Sequence, residues 1–533
     1  MPGTVLLDEL AAQSMAVTHD LKHGRGKNAD LILIPQPSED PNDPLNWPQS
    51  QKDLQLAILG LGATVFAACF GPLLVPGMMV ISKELHISVT KVAQLGGYQL
   101  LVVGATGPFV CAISSKYGKR PVFLFSGMMG IIGTIIGGCA NDYHLLLVGR
   151  IVQGFATSAF ESIVVTVIGD MYFIHERGLR ISLLNFILGA VSSLVSVITG
   201  PITTNLGWKF CFWVLLPFCC VQWILMILFC PETSYNRDAL YNLDTNTTEN
   251  YDKLAKLEHK NLDQEDYTPT EGTARKSFRQ RLAPVGGIYS SDNLIRLILA
   301  PFLSLTNLAA LWVIVMSGLL VGWYVAVSFI MAQWFTPAPY NYSAADVGYL
   351  NIGPTLGGLC ASVFMSAVSD PIIRFAAKHN KGIYEPEFRL FPMVVCFIFT
   401  ILGLALYGHG LQSYWTPPVT AVIHAILLFG ILVGAIASSA YILDAFRDMS
   451  NEVFIMMMAF KNFFFYGMSY YVNNWIARGG PMQMFGCFAG ISALFVLLGI
   501  PMYLLGKRYR GFWARHNFMT YAGLRAQAPA VGH

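Results

Sequence analysis

Arg150 and Glu161 are two charged residues inside one strongly apolar stretch, residues 145–168. In an α-helix their spacing of eleven residues places them about 20° from a whole number of turns and roughly 16 Å apart along the axis. Gly154 and Thr157 fall on the same face. Apolar surroundings favour the neutral form of a carboxylic acid, so such an acid can load and release protons. We therefore predict that Glu161, together with Arg150, couples proton movement to a conformational cycle.

Packing offers a second interpretation for some of these polar residues. Arg150 could serve only to fix helix packing, through an interhelical ion pair or through backbone carbonyls and the amides of Gln94 and Gln99. Lys461, a third charge in an apolar run, could snorkel towards water or bind anionic groups, and both interpretations stay open. His424 could titrate, although a lone histidine is more often a packing residue.

Aromatic side chains crowd the apolar runs 308–334 and 453–476. Those that face a central cavity would suit a planar or cationic organic molecule. Together with polar residues of neighbouring runs they give a candidate set for a substrate cavity: Gln94, Gln99, Thr157, Trp323, Tyr324, Asn351, His424, Lys461, Asn462 and Tyr466.

Long apolar runs must position these residues. Charged residues make up 12% of the chain and apolar residues 54%, and this charged share is about half that of soluble domains. A bilayer core needs about 20 apolar residues per helix. The sequence therefore predicts an all-α polytopic membrane protein with twelve transmembrane helices, in which only Arg150, Glu161 and Lys461 are charged. The predicted spans are 54–81, 92–113, 122–140, 145–168, 181–206, 210–230, 308–334, 347–368, 390–408, 418–443, 453–476 and 482–505.

Lysine and arginine are distributed unevenly between the loops, which sets the orientation in the membrane. Among the short loops, those that follow spans 2, 4, 8 and 10 hold ten lysines and arginines and the six on the opposite side hold four, and the basic run 507–515 lies on the more basic side. Both termini are therefore expected in the cytosol. No short apolar region with a cleavage site precedes the first span, so we expect that span itself to direct insertion.

The longest hydrophilic stretch divides the chain into two halves of six spans each, the plan of a two-bundle transporter. We predict a cytosolic N-terminal tail (1–53), a six-helix bundle (54–231), a cytosolic linker (232–305), a second six-helix bundle (306–505) and a cytosolic C-terminal tail (506–533). The linker is interpreted as a solvated spacer. We expect a monomer in the plasma membrane, with the vacuolar or another internal membrane as the alternative.

Several chemistries are not expected from this sequence. The ten cysteines lie in or beside apolar runs without metal-ligand or disulfide spacing. A phosphate-binding glycine loop of the Walker type and a nucleophile–base pair are both lacking, so we expect neither ATP drive nor an enzyme, and no cofactor, metal or nucleic-acid partner. Of two glycosylation sequons, Asn341 falls in a predicted outer loop close to the membrane, whereas Asn246 falls in the cytosolic linker.

Several motifs together resemble the major facilitator superfamily, and within it the fungal drug:proton antiporter group with twelve spans. The arginine motif of the superfamily is similar to Leu146-x3-Arg150-x2-Gln153-Gly154, and the tail of its loop signature resembles Gly118-Lys119-Arg120-Pro121. Six further segments resemble motifs of the fungal group: Pro44-Leu45-Asn46-Trp47-Pro48, Asp170-x-Tyr172-Phe173-x-His175-Glu176-Arg177-Gly178-x-Arg180, Leu206-Gly207-Trp208-Lys209, Pro231-Glu232-Thr233, Glu385-Pro386-Glu387-x-Arg389-Leu390 and Lys461-Asn462.

The resemblance implies two pseudo-symmetric bundles, alternating access and proton-coupled movement of small organic molecules, with Arg150 associated with proton coupling. It also implies that the loops beside the cytosolic gate carry gating residues: Lys116, Gly118, Lys119, Arg120, Asp170, Glu176, Arg177, Asp370 and Arg374. The chain departs from the family pattern at Cys111 and Ser115, where the loop signature has Gly and Asp. Gly200-Pro201 also lies too close to Gly207 for the exporter motif of the family.

These observations predict a proton-coupled secondary transporter that exports an amphiphilic metabolite, toxin or drug. An importer of cations or polyamines is the alternative within transport, because the same fungal group includes such members. A non-transporting membrane sensor on the same scaffold is the alternative outside transport.

Overall fold

The structure is a computed structural model that describes residues 5–6, 37–38, 40–173, 180, 183–184, 186–235, 277–283, 286–290, 293–380, 383–446 and 449–518. These described residues are predominantly helical. They also include two short antiparallel strands, β1 (Val5–Leu6) and β2 (Ile383–Tyr384), with Val5 opposite Tyr384.

The described helices lie on both sides of residues 236–276. Those before the linker are α1 (Gln49–Gly62), α2 (Met78–Glu84), α3 (Val89–Tyr117), α4 (Lys119–Cys139), α5 (Tyr143–Met171), α6 (Ser192–Leu206) and α7 (Lys209–Phe229). The later ones are α8 (Phe278–Arg281), α9 (Leu294–Leu303), α10 (Leu308–Phe335), α11 (Ala344–Tyr349), α12 (Ile352–His379), α13 (Met393–Gln412), α14 (Pro417–Ala445), α15 (Ser450–Leu497) and α16 (Gly499–Arg515). Short 3-10 helices occupy Pro44–Asn46, Pro72–Leu74, Ser304–Thr306 and Pro386–Leu390, and π-helical turns occupy Ala63–Ala68 and Ile187–Val191.

Ten helical stretches within the described residues are long and apolar enough to cross a membrane. One of them, Ser450–Arg515, is 66 residues long and leaves helical geometry at Gly480 (φ 74°, ψ 163°), directly before Pro481. This break lies between the predicted spans 11 and 12. The count of twelve spans, the cytosolic location of the termini and the domain boundaries remain predictions.

The first predicted span, 54–81, is not one regular helix. α1 passes into a π-helical turn that ends at Ala68, and helical structure resumes at Pro72–Leu74 and again in α2. Gly71-Pro72 and Pro76-Gly77 explain the interruption, because proline lacks a donor N–H and glycine loses more backbone entropy in a helix than other residues do. The break leaves backbone carbonyls near Gly71 free for other partners.

The helices form two groups joined by two seams. Helices α3, α4, α5 and α7 pack against one another, and so do α10, α12, α13, α14 and α15. In the first seam α3 runs along α15, and in the second α6 packs against α11 and α12. Gly200 and Gly348 meet in the second seam, where a Cβ added to either would lie 3.2 Å from the Cα of the other. Only residues without a side chain allow this close approach.

Glu232 and Arg120 lock two helix ends together in the N-terminal half. The Glu232 carboxylate accepts hydrogen bonds from the backbone N–H groups of Lys119 (3.0 Å) and Arg120 (2.9 Å) at the start of α4. The Arg120 guanidinium donates to the carbonyls of Met226, Ile227 and Cys230 at the end of α7. Each charge thus pairs with backbone N–H or C=O groups that have no partner within the helix. Its sign is also the one that the helix dipole favours at that terminus.

The C-terminal half has a corresponding cluster in which the charges are exchanged. Buried Arg510, in α16, forms ion pairs with Glu385 (2.7 Å) and Glu387 (2.8 Å), which stand at the start of the 3-10 helix before α13. Lys507 adds an ion pair to Glu385 at 2.5 Å. The cation therefore lies in the last helix of the C-terminal half, whereas the carboxylate of Glu232 follows the last helix of the N-terminal half. Both clusters bind helices within one half, so each half is expected to move as a unit.

Replacement of Glu232 by alanine tests the lock in the N-terminal half. We expect Glu232→Ala to lose about 1–2 kcal/mol of stability, the range of a lost helix cap, and to lower the apparent unfolding temperature of the purified protein in detergent. Asp142→Ala is the matched control, because Asp142 stands before α5 without a side-chain cap hydrogen bond. Equal unfolding temperatures for the two variants would contradict a stabilising role for Glu232.

Candidate functional site

Glu161 and Lys461 form an ion pair between the two halves of the protein. Glu161 lies in α5 and Lys461 in α15, 300 residues later in the chain, and the Lys461 Nζ donates to the Glu161 Oε1. The two side chains are only 13% and 20% exposed. A charge in apolar surroundings costs several kcal/mol unless it is paired. The pair therefore explains how both charges are tolerated inside apolar helices.

Arg150 is buried and binds the interrupted first span. Its guanidinium donates to the carbonyls of Phe70 (2.7 Å) and Gly71 (3.3 Å), and to the Gln153 Oε1 (3.0 Å). The carbonyls come from the break between α1 and α2, which frees them from helical hydrogen bonds. This geometry corresponds to the packing alternative for Arg150, and a direct role in proton coupling remains a prediction.

Thr157 and Gln99 extend the polar face of α5 towards its neighbours. The Thr157 hydroxyl donates to the carbonyl of Phe66 (2.7 Å), and the Gln99 Nε2 lies 3.4 Å from the Thr157 Oγ1. The predicted partnership of Gln94 and Gln99 with Arg150 is not seen, because Arg150 turns to backbone carbonyls and Gln153 instead. Gln94 is half-buried in α3.

Three tyrosines connect the halves in the α3–α15 seam. The Tyr470 hydroxyl lies 2.8 Å from that of Tyr98 and 3.0 Å from that of Tyr466, and the rings of Tyr98 and Tyr466 are 5.3 Å apart. Sequence reasoning selects Tyr466 but not Tyr98. The signal for Tyr98 is its position four residues after Gln94 and directly before Gln99, both of which are polar residues in an apolar run.

Asn462 directly follows Lys461 in α15 and is fully buried. Its Cβ is 3.2 Å from the position that a Cβ on Gly104 would take, which places it in the α3–α15 seam. Neither atom of its side-chain amide has a hydrogen-bond partner within the described part of the chain. A buried amide without a partner is costly, so this seam holds a polar group ready for another partner.

Tyr324 lies in the other seam, whereas the remaining cavity candidates lie inside the C-terminal half. The Tyr324 hydroxyl is hydrogen-bonded to that of Ser193, which belongs to α6 of the N-terminal half. His424 is fully buried beside the ring of Tyr324, 5.6 Å away. Trp323 stacks on Phe488 with ring centroids 3.9 Å apart. Asn351, buried before α12, donates its side-chain amide to the carbonyl of Val347 at 3.2 Å.

Several of the predicted gating residues lie where α3 ends and α4 begins. Gly118 has φ 99° and ψ 161°, a backbone region that favours glycine. Lys119 forms an ion pair with Asp170 at the end of α5, and the Lys116 carbonyl accepts from the backbone N–H of Tyr289 at 2.8 Å. Burial and then the Glu232 carboxylate raise the pKa of Tyr289 to about 12, so this hydroxyl stays neutral.

The structure describes only some of the other residues predicted to act in gating or to be glycosylated. Asp370 and Arg374 belong to α12, but their side chains lie outside the described part of the structure. Glu176, Arg177 and the sequon at Asn246 also lie outside the described residues. Asn341 is exposed in the connection between α10 and α11, with φ 53°, and its glycosylation remains a prediction.

Comparison with known proteins gives relatives over nearly the full length. An uncharacterized MFS-type transporter of Schizosaccharomyces pombe is 25% identical and covers 98% of this chain and 95% of its own. Protein HOL1 of Saccharomyces cerevisiae is 23% identical with 93% of each chain covered. The MFS-type transporter hepF of Aspergillus oryzae is 26% identical and covers 80% of this chain and 83% of its own.

Solved structures share the fold at low sequence identity. The human organic anion transporter MFSD10 superposes with a TM-score of 0.51 and 14% identity, covering 85% of this chain and 100% of its own. The E. coli xylose transporter XylE, in a partially occluded inward open conformation, gives a TM-score of 0.54 and 11% identity, with 84% and 98% covered. The sequence model described as Major Facilitator Superfamily matches residues 56–469. The predicted fold and family are thus confirmed: the chain belongs to the Major Facilitator Superfamily, whose multi-pass membrane proteins are secondary transporters of small molecules and not enzymes.

Proposed function

We propose that this protein is a proton-coupled antiporter of the fungal drug:proton group, which exports an amphiphilic metabolite, toxin or drug by alternating access. The observation that carries the proposal is the ion pair between Glu161 and Lys461, because it joins an acid of one half to a base of the other. A proton that arrives at Glu161 removes the negative charge and with it the attraction between the halves. Proton binding and the relative movement of the halves are thereby linked.

Groups in the α3–α15 seam supply a site for the substrate. Asn462 offers an unpaired amide, and Tyr98 and Tyr466 offer aromatic faces with hydroxyl groups. Such a site suits a molecule with an apolar body and a few polar groups. In the proposed cycle, substrate from the cytosol takes the place of contacts across the α3–α15 seam.

Other residues position this site. Arg150 fixes the interrupted first span against α5 through the Phe70 and Gly71 carbonyls. Lys119 and Asp170 hold the end of α5 to the start of α4. The proposal includes twelve spans with cytosolic termini, the two bundles at 54–231 and 306–505, and a monomer in the plasma membrane.

An importer of cations is the second candidate function. The three tyrosines of the α3–α15 seam favour it, because aromatic faces attract cations. Import and export use the same proton-binding acid in this proposal, and they differ in which side of the membrane delivers the substrate.

Vesicle transport measures the direction and the role of Glu161. With a compound chosen by growth screening of a deletion strain, inside-out vesicles with an acidic lumen should accumulate substrate as protons leave. Glu161→Gln should abolish this proton-driven uptake, because the amide cannot release a proton. Asp142→Asn, at an exposed residue before the same helix, should retain it. Uptake restricted to right-side-out vesicles supports import, and undiminished uptake by Glu161→Gln contradicts the coupling role.

Unfolding of single and double variants measures the ion pair. Lys461→Met leaves Glu161 without its cation, and removal of one partner of a buried pair costs about 3–5 kcal/mol. We expect a large drop in apparent unfolding temperature for Lys461→Met and recovery in the double variant Glu161→Gln/Lys461→Met. Lys209→Met, at a lysine in an exposed contact with Asn141, is the control. A double variant as unstable as Lys461→Met would show that the two residues do not interact.

A reversible cross-link tests alternating access at the α6–α11 contact. The Thr204 Oγ1 lies 2.9 Å from the backbone N of Ala345, across the two halves. A disulfide between the cysteines of the double variant Thr204→Cys/Ala345→Cys should stop transport, and a reductant should restore it. As a control within one half, Thr203→Cys can pair with the native Cys211, whose Sγ lies 3.4 Å from the Thr203 Oγ1. Continued transport by the cross-linked double variant would be incompatible with opening at this contact.

A further inference from the structure

Helix α9 is a short apolar helix that contacts both halves of the protein. It spans Leu294–Leu303 and packs against α3 of the N-terminal half and against α15 of the C-terminal half. A 3-10 turn at Ser304–Thr306 and the extended residue Asn307 separate it from α10. With ten residues it is too short to span a bilayer, which needs about 20.

The two faces of α9 differ in exposure. Ala300 and Pro301 are buried. Ile295, Leu299 and Phe302 are 64%, 51% and 46% exposed, and their spacing places them within an arc of about 60°. The exposed face of α9 is therefore apolar, unlike that of a helix that faces water.

We propose that α9 lies in the cytosolic leaflet of the membrane, with Ile295, Leu299 and Phe302 among the acyl chains and Arg296 at the phosphate groups of anionic lipids. An apolar segment of this length either packs in a core or lies in the membrane interface, and the exposure of Ile295, Leu299 and Phe302 favours the interface. Arg296 is exposed beside the apolar face and is the one charged residue of this helix. A positive charge near the cytosolic surface is attracted to anionic lipid.

Continuity with a lipid-facing surface supports the same partner. α9 packs on α3, a membrane-spanning helix that exposes Phe109 and Ile113 near its end. The backbone hydrogen bond from Tyr289 to Lys116 holds the preceding linker segment at that end of α3. The apolar face of α9 therefore extends the surface that the spanning helices present to lipid. It also gives the linker a function that a solvated spacer does not have.

Photocrosslinking in vesicles identifies what covers this face. The full-length protein with p-benzoylphenylalanine at Phe302 is reconstituted in phosphatidylcholine vesicles and irradiated, and the adducts are identified by mass spectrometry. We expect lipid adducts, as from the exposed Phe109, and none from the fully buried Phe465. Adducts at Phe302 that map to linker residues 236–276 or to a second copy of the chain would overturn the proposal.

The contribution of Arg296 is measured in the same assay with phosphatidylserine added to the vesicles. Arg296→Gln should reduce the phosphatidylserine share of the adducts at Phe302 about fivefold, the loss expected for one basic residue at an anionic surface. Lys209→Gln, at a lysine on the opposite predicted side of the membrane, should leave it unchanged. An unchanged share in Arg296→Gln would exclude the headgroup contact. Neither readout depends on substrate or proton coupling, so failure here is distinguishable from failure of the proposed function.

Discussion

The pairing of Glu161 with Lys461 is the constraint on which the arrangement of the two halves depends. Neither charge is tolerated alone in an apolar bundle, so α5 and α15 must face each other at this level. α3 packs against both of them. Gly97 and Gly104 of α3 permit this approach, since a Cβ at Gly104 would lie 3.2 Å from the Ala459 carbonyl oxygen.

Movement in such a protein requires halves that are internally rigid and a seam between them that is not. Arg120 and Glu232 tie helix ends within the N-terminal half, and Arg510 and Glu387 do so within the C-terminal half. Apart from the ion pair of Glu161 with Lys461, the contacts described above between the halves are single hydrogen bonds and close packing at glycines. These contacts break at lower cost than a buried cluster of charges does, so the seams are where the structure can open.

The sequence predicts the helices and the family well, because apolar runs of about 20 residues and the motifs around Arg150 depend on local order. It offers the carbonyl partners of Arg150 only as an alternative. Pro72 and Pro76 indicate an interruption of the first span, but not which carbonyls the interruption leaves for Arg150. The partnership of Glu161 and Lys461 cannot be predicted from spacing, since 300 residues separate them. Helical periodicity also does not indicate which face of α10 points inward, because this helix is apolar on all sides. The sequence therefore cannot assign Trp323 and Tyr324 to different surroundings.

In the proposed cycle, the unpaired amide of Asn462 favours opening of the α3–α15 seam. Its buried amide has no partner within the described residues while the ion pair of the preceding residue, Lys461, is closed. An unpaired buried amide costs about 1–3 kcal/mol, which raises the free energy of the closed seam relative to any state that supplies a partner. In the proposed cycle, a substrate with one polar group supplies such a partner, and protonation of Glu161 loosens the ion pair of the neighbouring residue Lys461. Substrate and proton would then both act on contacts of α15 with the N-terminal half, which is the physical requirement for coupling their movements.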